Sequence, residues 1–487
     1  MARNYCHRQV LDHRWIFRCY STGALLRRFC RYLRPSRGSS TMTITKVSEG
    51  QTVALFGFGV TGRSVAASLL RRNISVIVFD DKPDNDMTAA AENLGINLIT
   101  PSSSKGVKEN MGNVDFAIPT PGLPESHTFF ECARERGVPL LSEFDLAAQW
   151  DRRPVLAVTG TNGKTTVTTM ITEMLKRSGI NSVLAGNTDI PLVEAIDRQE
   201  IETFVVEASS FRLSHSDQFK PRVAGWLNFS PDHLDVHKDL KAYEDAKTSI
   251  WKNLSSDDIA VAGIDDEVVS RNIPSAGSTI TFGLHIGDSR TEGHTLVVKD
   301  FPLMEVKELA RSAPHDILNA LAAATIASEG GASNEAIIEV LTTFTGLPHR
   351  ITYLGTSQGV EWFNDSKSTT PHSVAAAVQG YDNVVLIVGG RNKGIDLTSL
   401  VSLEKHLKAV IAIGEAAEDI SQIFKQKTPL TTAETMEEAV SSAHAQSESG
   451  DKVILSPGCA SFDWYENYEE RGDHFSNLVN EMILGKA

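Results

Sequence analysis

Cysteine is scarce in this chain, and the cysteines that are present form no pattern. They number five among 487 residues: Cys6, Cys19, Cys30, Cys132 and Cys459. An odd number without the close spacing of zinc ligands argues against a disulfide framework and against a structural metal site. The cysteine content therefore predicts a protein of a reducing cytoplasm.

Long apolar runs and an excess of positive charge are also missing. No apolar stretch approaches the roughly 20 residues that a membrane helix needs, so no membrane partner is expected. The chain has 47 Lys and Arg against 61 Asp and Glu, and the net charge of −14 disfavours nucleic acid as the main partner. Hydrophobic residues make up 41% of the chain, which allows ordinary globular cores. The length predicts about three domains at roughly 150 residues each.

Acidic residues are nearly absent from residues 1–41, which are rich in arginine. Asp12 is the single acid of this segment. Such a composition resembles an organelle transit peptide, and the segment lacks the apolar core of a secretory signal. The alternative is an upstream start codon, which we favour because Met42 lies just before the first predicted strand. Residues 1–41 are therefore excluded from the fold prediction.

A phosphate-binding turn follows the apolar strand that begins at Val155. The sequence Gly-Thr-Asn-Gly-Lys-Thr-Thr spans residues 160–166 and leads into a helix. Backbone N–H groups of such a turn surround the phosphates of a nucleoside triphosphate, and Lys164 would reach the terminal ones. The hydroxyl of Thr165 can bind Mg²⁺. The loop is shorter than the common G-x-x-x-x-G-K-[ST] motif, and an ordinary glycine turn is the alternative.

A second glycine-rich turn lies near the start of the fold. The strand at residues 53–56 is followed by Gly-Phe-Gly-Val-Thr-Gly at 57–62, a helix through Leu70 and a strand before Asp80. This G-x-G-x-x-G pattern with a later acid is the dinucleotide fingerprint, and alone it would favour NAD. The separate triphosphate turn and the lack of a recognisable dehydrogenase acid–base pair favour another nucleotide diphosphate, such as a UDP group. The alternative is a turn that only packs helix on strand.

Polar residues follow other apolar strands of the central part. The strand at residues 204–206 ends at Glu207, a suitable Mg²⁺ ligand opposite Thr165. A strand at Leu227 is expected to run into a polar turn that contains His233, and Lys247 follows on a helix that begins near Leu240. An isolated His or Lys is usually a surface residue, but their occurrence after a phosphate turn favours a site.

Three further polar clusters follow apolar strands after Leu347, at residues 364–370, 389–394 and 455–463. They predict another parallel α/β sheet with functional loops at its strand ends, although each could be an ordinary βα turn. The predicted division is a basic leader at 1–41, a nucleotide-diphosphate domain at 42–150, a triphosphate-binding domain at 151–346 and a third α/β domain at 347–487.

Several motifs resemble those of the Mur ligase family. They occur in the family's order and cover nearly all of the chain after Thr52. They are G-T-N-G-K-T-T, V-V-E-A-S-S-F, L-N-F-S-P-D-H-L-D, G-L-P-H-R, N-D-S-K-S-T-T, G-G-R-N-K-G and L-S-P-G-C-A-S-F-D. The most similar members add D-glutamate to UDP-N-acetylmuramoyl-L-alanine. The resemblance implies a three-domain α/β architecture. A Rossmann-like N-terminal domain would bind the UDP substrate, a P-loop ATPase-type central domain would bind ATP, and a Rossmann-like C-terminal domain would bind the amino acid.

The resemblance also implies an ATP-dependent ligation in peptidoglycan precursor synthesis. ATP would phosphorylate the substrate carboxylate, and the amine of D-glutamate would attack the acyl phosphate through a tetrahedral intermediate. The implied cofactors are ATP and Mg²⁺, the implied partners are these small molecules alone, and a cytoplasmic monomer is expected. The alternatives are a sister Mur or folylpolyglutamate-type ligase with another amino acid, and a non-catalytic nucleotide-binding protein.

Roles follow from the resemblance, residue by residue. The expected catalytic residues are Lys164, His233 and Lys247, and Lys247 matches a lysine that the family carbamylates. The expected metal ligands are Thr165, Glu207, His233 and carbamylated Lys247. The expected ATP site contains Gly160, Thr161, Asn162, Gly163, Lys164, Thr165, Thr166, Asn319, Arg350 and Asp365. The expected UDP-substrate contacts are Val60, Thr61, Asp80, Asp81, Thr120, Asn187 and His233. Lys367 would support the domain cleft across which Arg350 and Asp365 bind ATP. The expected amino-acid contacts are Thr369, Lys393, Ser461 and Tyr468, and Lys393 would bind the side-chain carboxylate of D-glutamate.

Some residues depart from the family pattern. Arg212 stands where glutamine is usual, and Asp316 stands where a second asparagine is common. Asp81 and Lys82 replace a small polar residue and an arginine, and Tyr468 replaces a phenylalanine. These changes affect details of the pockets and leave the implied class of reaction unchanged.

Overall fold

The computed structural model describes residues 46–100, 104–188, 190–233, 236–275, 277–392 and 396–485. Parallel β-strands alternate with α-helices through most of these residues. The leader at 1–41 and Lys393, which were both assigned from the sequence, lie outside the described residues.

The first sheet has four parallel strands in the order β3-β2-β1-β4. Its strands are β1 (Thr52–Phe56), β2 (Ser75–Phe79), β3 (Asn97–Ile99) and β4 (Phe116–Pro119). The helices of this part are α1 (Val60–Leu70), α2 (Asn85–Leu94), α3 (Ser104–Asn110) and α4 (Thr128–Glu135). The next helix, α5 (Glu143–Trp150), packs Phe144 and Ala147 in a core of the second sheet. The strand order reverses between β1 and β4, so the glycine turn at 57–62 lies at the switch point where open α/β sheets bind ligands.

The second sheet has six parallel strands in the order β10-β9-β8-β5-β7-β6. They are β5 (Val155–Thr159), β6 (Ser182–Gly186), β7 (Thr203–Glu207), β8 (Val223–Trp226), β9 (Ile259–Gly263) and β10 (Ser278–Phe282). Its helices are α6 (Lys164–Arg177), α7 (Leu192–Ala195), α8 (Ser210–Leu213), α9 (Leu240–Thr248), α10 (Glu267–Arg271), α11 (Pro314–Glu329) and α12 (Asn334–Thr343). Because β7, β5 and β8 are neighbours, the loops that follow them meet at one edge of the sheet.

Both faces of the second sheet are covered, which explains why its strands are apolar throughout. On β5, Leu156 and Val158 face a core formed with α6 and α11, whereas Ala157 faces the opposite core with Phe204. This burial fixes β5, and with it the phosphate turn that follows.

A small antiparallel sheet within the central part was not predicted. It consists of β11 (Arg290–Glu292), β12 (Thr295–Val298) and β13 (Phe301–Glu305). β12 and β13 are joined by Lys299 and Asp300, whose φ angles of 52° and 62° are those of a tight hairpin turn. Such turns favour Asn-Gly or Asp-Gly, so Lys-Asp gave no signal.

The third large sheet has the order β14-β15-β19-β16-β17-β18. Its strands are β14 (Thr352–Ser357), β15 (Val360–Asn364), β16 (Val384–Gly389), β17 (Leu407–Ile413), β18 (Leu430–Ala433) and β19 (Lys452–Gly458). Its helices are α13 (Pro371–Val378), α14 (Ala417–Phe424), α15 (Met436–Gln446) and α16 (Tyr468–Ile483). The sheet is parallel except for the edge strand β14, which pairs antiparallel with β15. The prediction of a parallel α/β sheet is confirmed for five strands, and the antiparallel edge strand, which Gln358 and Gly359 join to β15 in a hairpin turn, was not predicted.

No helix in the described part of the chain combines the length and the apolar character needed to cross a membrane.

Candidate active site

The phosphate turn connects β5 to α6, as predicted. Gly163 is the N-cap of α6 and has a left-handed φ of 84°. A Cβ atom at Gly163 would also lie 2.4 Å from Oδ1 of Asn319. Glycine is therefore required here by the backbone and by the close approach of Asn319, which the structure brings to the turn from α11.

The loop after β8 holds the phosphate turn in shape. Oδ1 of Asn228 accepts hydrogen bonds from the N–H groups of Thr161 and Asn162 at 3.1 and 2.9 Å. Nδ2 of Asn228 donates to the carbonyl of Asn162 at 3.2 Å. Oγ1 of Thr161 accepts from the N–H of Ser230 at 2.9 Å. Sequence reasoning gave Asn228 no role, although its amide after a neighbouring strand was a usable signal.

Two lysine side chains converge on one carbonyl oxygen of the turn. Nζ of Lys164 donates to the carbonyl of Gly160 at 2.9 Å, and Nζ of Lys247 donates to the same oxygen at 2.7 Å. Lys247 is buried, and its Nζ lies 4.5 Å from the ring centre of Tyr243. Burial lowers the pKa of both lysines, and the charge of Lys164 lowers the pKa of Lys247 further. A larger fraction of neutral amine suits the carbamylation expected at Lys247, which stays a prediction.

Glu207 ends β7 beside the turn, with Val158 of β5 as its partner in the sheet. Its Oε1 accepts a hydrogen bond from Nδ2 of Asn187 at 3.1 Å. Its Oε2 is buried and has no hydrogen-bond partner among the described residues. A buried carboxylate oxygen without a donor is unfavourable unless a cation or a ligand binds it. Asn187, expected at the UDP substrate, therefore contacts the expected metal ligand.

His233 follows Asp232 in the loop after β8 and has a left-handed φ of 55°. Its ring packs on Phe211 with centroids 4.7 Å apart, and 41% of its side chain is exposed to solvent. No group of three or more His, Cys, Asp or Glu side chains in the described ranges is arranged to hold a metal ion. The expected metal ligands therefore remain a prediction.

A pocket lies between α6 and α11, next to the phosphate turn. It is lined by Thr166, Met170, Leu309, Arg311, Asp316, Asn319, Ala320, Leu341 and Phe344. Five of these side chains are apolar, and the polar ones include the amide of Asn319 and the charged pair of Arg311 and Asp316. The carboxylate of Asp316 accepts a hydrogen bond from Nε of Arg311 at 2.9 Å, so Asp316 fixes Arg311 in the wall of the pocket.

Two charged residues of the expected ATP site, Arg350 and Asp365, lie next to strands of the third sheet. Oδ2 of Asp365 accepts hydrogen bonds from the hydroxyls of Ser368 and Ser456 at 2.5 and 2.8 Å. Burial raises the pKa of Asp365 to about 6, and the nearby charge of Arg350 opposes this effect. Arg350 also lowers the pKa of Lys164, although less than burial does. The expected ATP residues of two sheets are thus within electrostatic reach of one another.

The glycine turn of the first sheet is tightly packed against Thr120. A Cβ atom at Gly57 would lie 2.1 Å from Oγ1 of Thr120. Oδ2 of Asp80 accepts a hydrogen bond from the N–H of Phe58 at 2.8 Å, so Asp80 fixes the turn. Val60 and Thr61 are the first residues of α1, where N–H groups lack intrahelical partners and can bind phosphate.

Two expected UDP contacts are held by residues that sequence reasoning missed. Oδ2 of Asp81 lies 2.7 Å from Nε2 of His127. Oγ1 of Thr61 accepts a hydrogen bond from Nη2 of Arg212 at 2.9 Å. The departure of Arg212 from the family pattern was the available signal.

The expected amino-acid contacts lie on loops that meet at the end of the third sheet. The N–H of Gly458 donates to the carbonyl of Ser368 at 2.8 Å, which joins the loop of Thr369 to that of Ser461. The hydroxyl of Ser366 donates to the carbonyl of Tyr468 at 2.8 Å. Lys393 lies outside the described residues, and its expected contact with D-glutamate stays a prediction.

Arg471 of α16 ties these loops together and was not expected. Its guanidinium is buried and donates to the carbonyls of Ser366 and Cys459 at 2.8 and 3.2 Å. Burial lowers the pKa of Arg471 to about 10. A buried cation therefore lies directly beneath the expected amino-acid loops.

Comparison with known proteins identifies the family. Residues 158–327 match the family model of the Mur ligase middle domain, and residues 349–459 match that of the Mur ligase, glutamate ligase domain. A UDP-N-acetylmuramoylalanine--D-glutamate ligase of Desulfosudis oleivorans is 37% identical over 453 residues, covering 90% of this chain and 98% of the relative. The enzyme of that name from Bacillus cereus is 33% identical over 451 residues, covering 91% and 100%. This chain belongs to the Mur ligase family.

Solved structures show that this Mur ligase has the architecture expected of the family. MurF ligase from Thermotoga maritima, in complex with ADP, has a TM-score of 0.52 at 17% identity and covers 91% of this chain and 97% of that one. MurC from the same organism has a TM-score of 0.51 at 18% identity and covers 89% and 99%. The predicted three-domain α/β architecture is confirmed, whereas the predicted domain bounds stay a prediction.

Proposed function

We propose that this Mur ligase adds D-glutamate to UDP-N-acetylmuramoyl-L-alanine with consumption of ATP, in peptidoglycan precursor synthesis. Relatives with the corresponding name match it over nearly their whole length. The observation that carries the proposal is the meeting of Lys164, Lys247 and Glu207 at the ends of adjacent strands. This arrangement combines an anion site with a cation site, which carboxylate activation by ATP requires.

The chemistry explains why both sites are needed. A carboxylate resists attack by an amine because its charge repels electrons and oxide is a poor leaving group. A carboxylate oxygen attacks the γ-phosphorus, ADP leaves, and an acyl phosphate forms. The amine of D-glutamate attacks the carbonyl carbon, loses a proton, and phosphate leaves from the tetrahedral intermediate. Lys164 and the N–H groups of the turn would stabilise the negative charge on the phosphates.

We propose Mg²⁺ as the cofactor, because the oxygen atoms present fit it. The hydroxyl of Thr165 and the unpartnered Oε2 of Glu207 are hard oxygen ligands of the kind that Mg²⁺ prefers. Bound Mg²⁺ would neutralise charge on the phosphates. His233 and carbamylated Lys247 are proposed as ligands of a second ion. We also propose that the protein acts as a cytoplasmic monomer without a nucleic-acid partner.

The choice of D-glutamate rests on the relatives and on positive charge near the expected pocket. Nζ of Lys367 lies 5.2 Å from the ring centre of Tyr468, and Arg471 is buried beneath the same loops. Two cations suit an amino acid with two carboxylates. A sister ligase that uses a neutral or diamino acid would gain less from them.

Phosphate release from ATP tests the proposal. The full chain is mixed with Mg²⁺, UDP-N-acetylmuramoyl-L-alanine and one amino acid at a time: D-glutamate, L-glutamate, L-alanine or a diamino acid. Release with D-glutamate alone is expected. Release with another amino acid would support the ligase class and overturn the proposal that D-glutamate is the substrate. Absence of release with every amino acid, in protein that still binds ATP, would favour the non-catalytic alternative.

A further inference from the structure

Arg212 joins α1 of the first sheet to α5, a helix whose Phe144 and Ala147 pack in a core of the second sheet. It lies on α8 and is only 5% exposed. Nη2 of Arg212 donates to Oγ1 of Thr61 at 2.9 Å, and Nη1 forms an ion pair with Oε1 of Glu143. Thr61 is the second residue of α1, and Glu143 is the first residue of α5. One guanidinium therefore holds the start of both helices.

Glu143 fixes the orientation of this guanidinium. Its carboxylate is buried, and its Oε2 accepts a hydrogen bond from the N–H of Val193 at 3.0 Å. Burial raises the pKa of Glu143, and the charge of Arg212 opposes that effect. The planar fork of arginine can contact Glu143 and Thr61 together, which a lysine ammonium could not do with the same geometry.

The rest of α1 is also docked on the central part, through polar contacts one helical turn apart. The hydroxyl of Ser64 donates to Oε2 of Glu194 at 2.6 Å. The hydroxyl of Ser68 donates to the carbonyl of Val193 at 3.1 Å, and Arg72 pairs with Asp197 at 2.6 Å. The spacing of three to four residues places Ser64 and Ser68 on one face of α1, and Arg72 follows just beyond the end of this helix. Arg212 completes this row at the end of α1 that carries the glycine turn.

Arg212 retains an unused donor. Its Nε is buried and has no hydrogen-bond partner among the described residues. The unpaired N–H groups of Val60 and Thr61 lie at the same end of α1. A helix N-terminus with adjacent guanidinium N–H groups favours an anion more than the helix alone, although Glu143 balances part of the charge of Arg212.

We propose that Arg212 is a positioning residue for the UDP-linked substrate. It fixes Thr61 through its hydrogen bond and adds a positive charge to the diphosphate site at the start of α1. The inference rests on the proposed function, since it concerns the same substrate. A change at Arg212 should therefore affect binding of the UDP-linked substrate. Binding of ATP depends on residues of the second sheet and should be unchanged.

The test compares substrate binding by full-length variants. Calorimetry measures the affinity for UDP-N-acetylmuramoyl-L-alanine, and steady-state kinetics give the KM of each substrate. Arg212→Gln is expected to weaken binding of the UDP substrate about tenfold, the scale of one lost hydrogen bond to a charged group, and to leave the KM for ATP unchanged. Arg212→Lys should give an intermediate loss. Arg177→Gln is the matched control, since Arg177 pairs with Glu339 on the surface.

Two further variants separate positioning from folding. Glu143→Gln keeps an oxygen acceptor for Arg212 and removes the buried countercharge, so Tm should fall while the affinity for the UDP substrate is retained or rises. Arg212→Gln combined with Glu143→Gln removes both buried charges. Its Tm should recover relative to Arg212→Gln, whereas its binding should remain weak.

The outcomes discriminate between the two proposals. Equal affinity of Arg212→Gln and the unchanged protein would overturn the role of Arg212 alone. Recovery of binding together with Tm in the double variant would show that Arg212 acts only on stability, and would also overturn it. Failure of the unchanged protein to bind UDP-N-acetylmuramoyl-L-alanine would overturn the proposed function itself.

Discussion

The carboxylate of Asp365 accepts several hydrogen bonds, and its ionised form is still unfavourable in the folded protein. Two serine hydroxyls and the N–H of Ile351 contact its carboxylate. Burial nevertheless raises its pKa from 3.8 to about 6. The folded protein therefore binds this proton more tightly than the unfolded chain does. Such a cost in folding stability is common at ligand sites, where the buried charge contributes to binding of the ligand.

Asp365→Asn should stabilise the ligand-free protein in a pH-dependent way. The native pKa lies above the unfolded value, so the wild-type chain loses stability as pH rises from about 4 to about 6. The variant's advantage in free energy of unfolding should grow over this window and level off near ~3 kcal/mol above it. Urea unfolding at several pH values checks this. An advantage that does not change with pH would contradict the raised pKa.

Lys164→Ala should abolish ATP turnover while the UDP-linked substrate still binds. The side chain serves the phosphate turn, whereas the expected UDP contacts lie on the first sheet. ADP formation and calorimetry with each substrate measure the two effects. Lys176→Ala, at the exposed end of the same helix, is the control. Loss of binding for both substrates in Lys164→Ala would instead indicate misfolding.

The positions of single residues within phosphate-binding and Mg²⁺-binding sequence patterns were predictable, whereas the residues that contact them were not. Gly163, Lys164 and Glu207 follow from strand–turn–helix patterns that bind phosphate and Mg²⁺. Asn228 and Arg212 contact the expected sites from distant parts of the chain, and no local pattern reveals such contacts. Lys393 lies outside the described residues, so its role stays a prediction.

At the scale of elements, α16 controls the geometry of two loops. Arg471 lies within this helix and donates to the carbonyls of Ser366 and Cys459 on separate loops. Its removal would leave both buried carbonyls without these donors. A helix that contributes Tyr468 to the expected amino-acid pocket therefore also holds the loop of Ser461.

Arg471→Met should lower stability strongly, because buried acceptors lose their donors. The expected loss in free energy of unfolding is about 3 kcal/mol, similar to other broken buried polar networks. Thermal and urea unfolding measure it, with Arg134→Met on the exposed face of α4 as the control. A loss no larger than that of the control would show that water replaces Arg471 readily.

Elements were predictable where the apolar pattern is long and were missed where it is short. β2 and the starts of α6 and α9 lie where the sequence places them. The small sheet β11 to β13 and the antiparallel edge β14 consist of strands whose hairpins depend on tight turns. Lys299 with Asp300 fills one such turn without glycine, so the sequence carries no turn signal there.

At the scale of the whole molecule, the expected ATP site combines residues of two sheets. The charge of Arg350 reaches both Lys164 and Asp365. A site of this kind is complete only when the two parts are close together. ATP and the UDP-linked substrate should therefore favour closed arrangements of the third sheet on the second.

Small-angle scattering tests this closure. The radius of gyration should decrease when a non-hydrolysable ATP analogue and UDP-N-acetylmuramoyl-L-alanine are added together. Lys164→Ala should show a smaller decrease, because it binds the nucleotide weakly. An unchanged radius in the wild-type protein, with both ligands bound, would contradict closure.

The three-domain architecture was predictable because motif order along the chain fixes the order of the sheets. The row of contacts between α1 and the central part was not. Ser64, Ser68 and Arg72 have the spacing of one helix face, but an ordinary solvated face has the same polar composition. Their partners on and after α7 become visible only when the helices are packed.

The packing of α11 on α6 determines when the protein can first recognise a nucleotide during its synthesis. The phosphate turn leaves the ribosome with β5 and α6, early in the central domain, whereas Asn319 and the apolar cover of α6 arrive with α11 near its end. A nascent chain that ends between these helices has the glycines and Lys164 but lacks the wall that would hold the base. We therefore expect ATP to stabilise the finished domain and not to act as a template for its early folding.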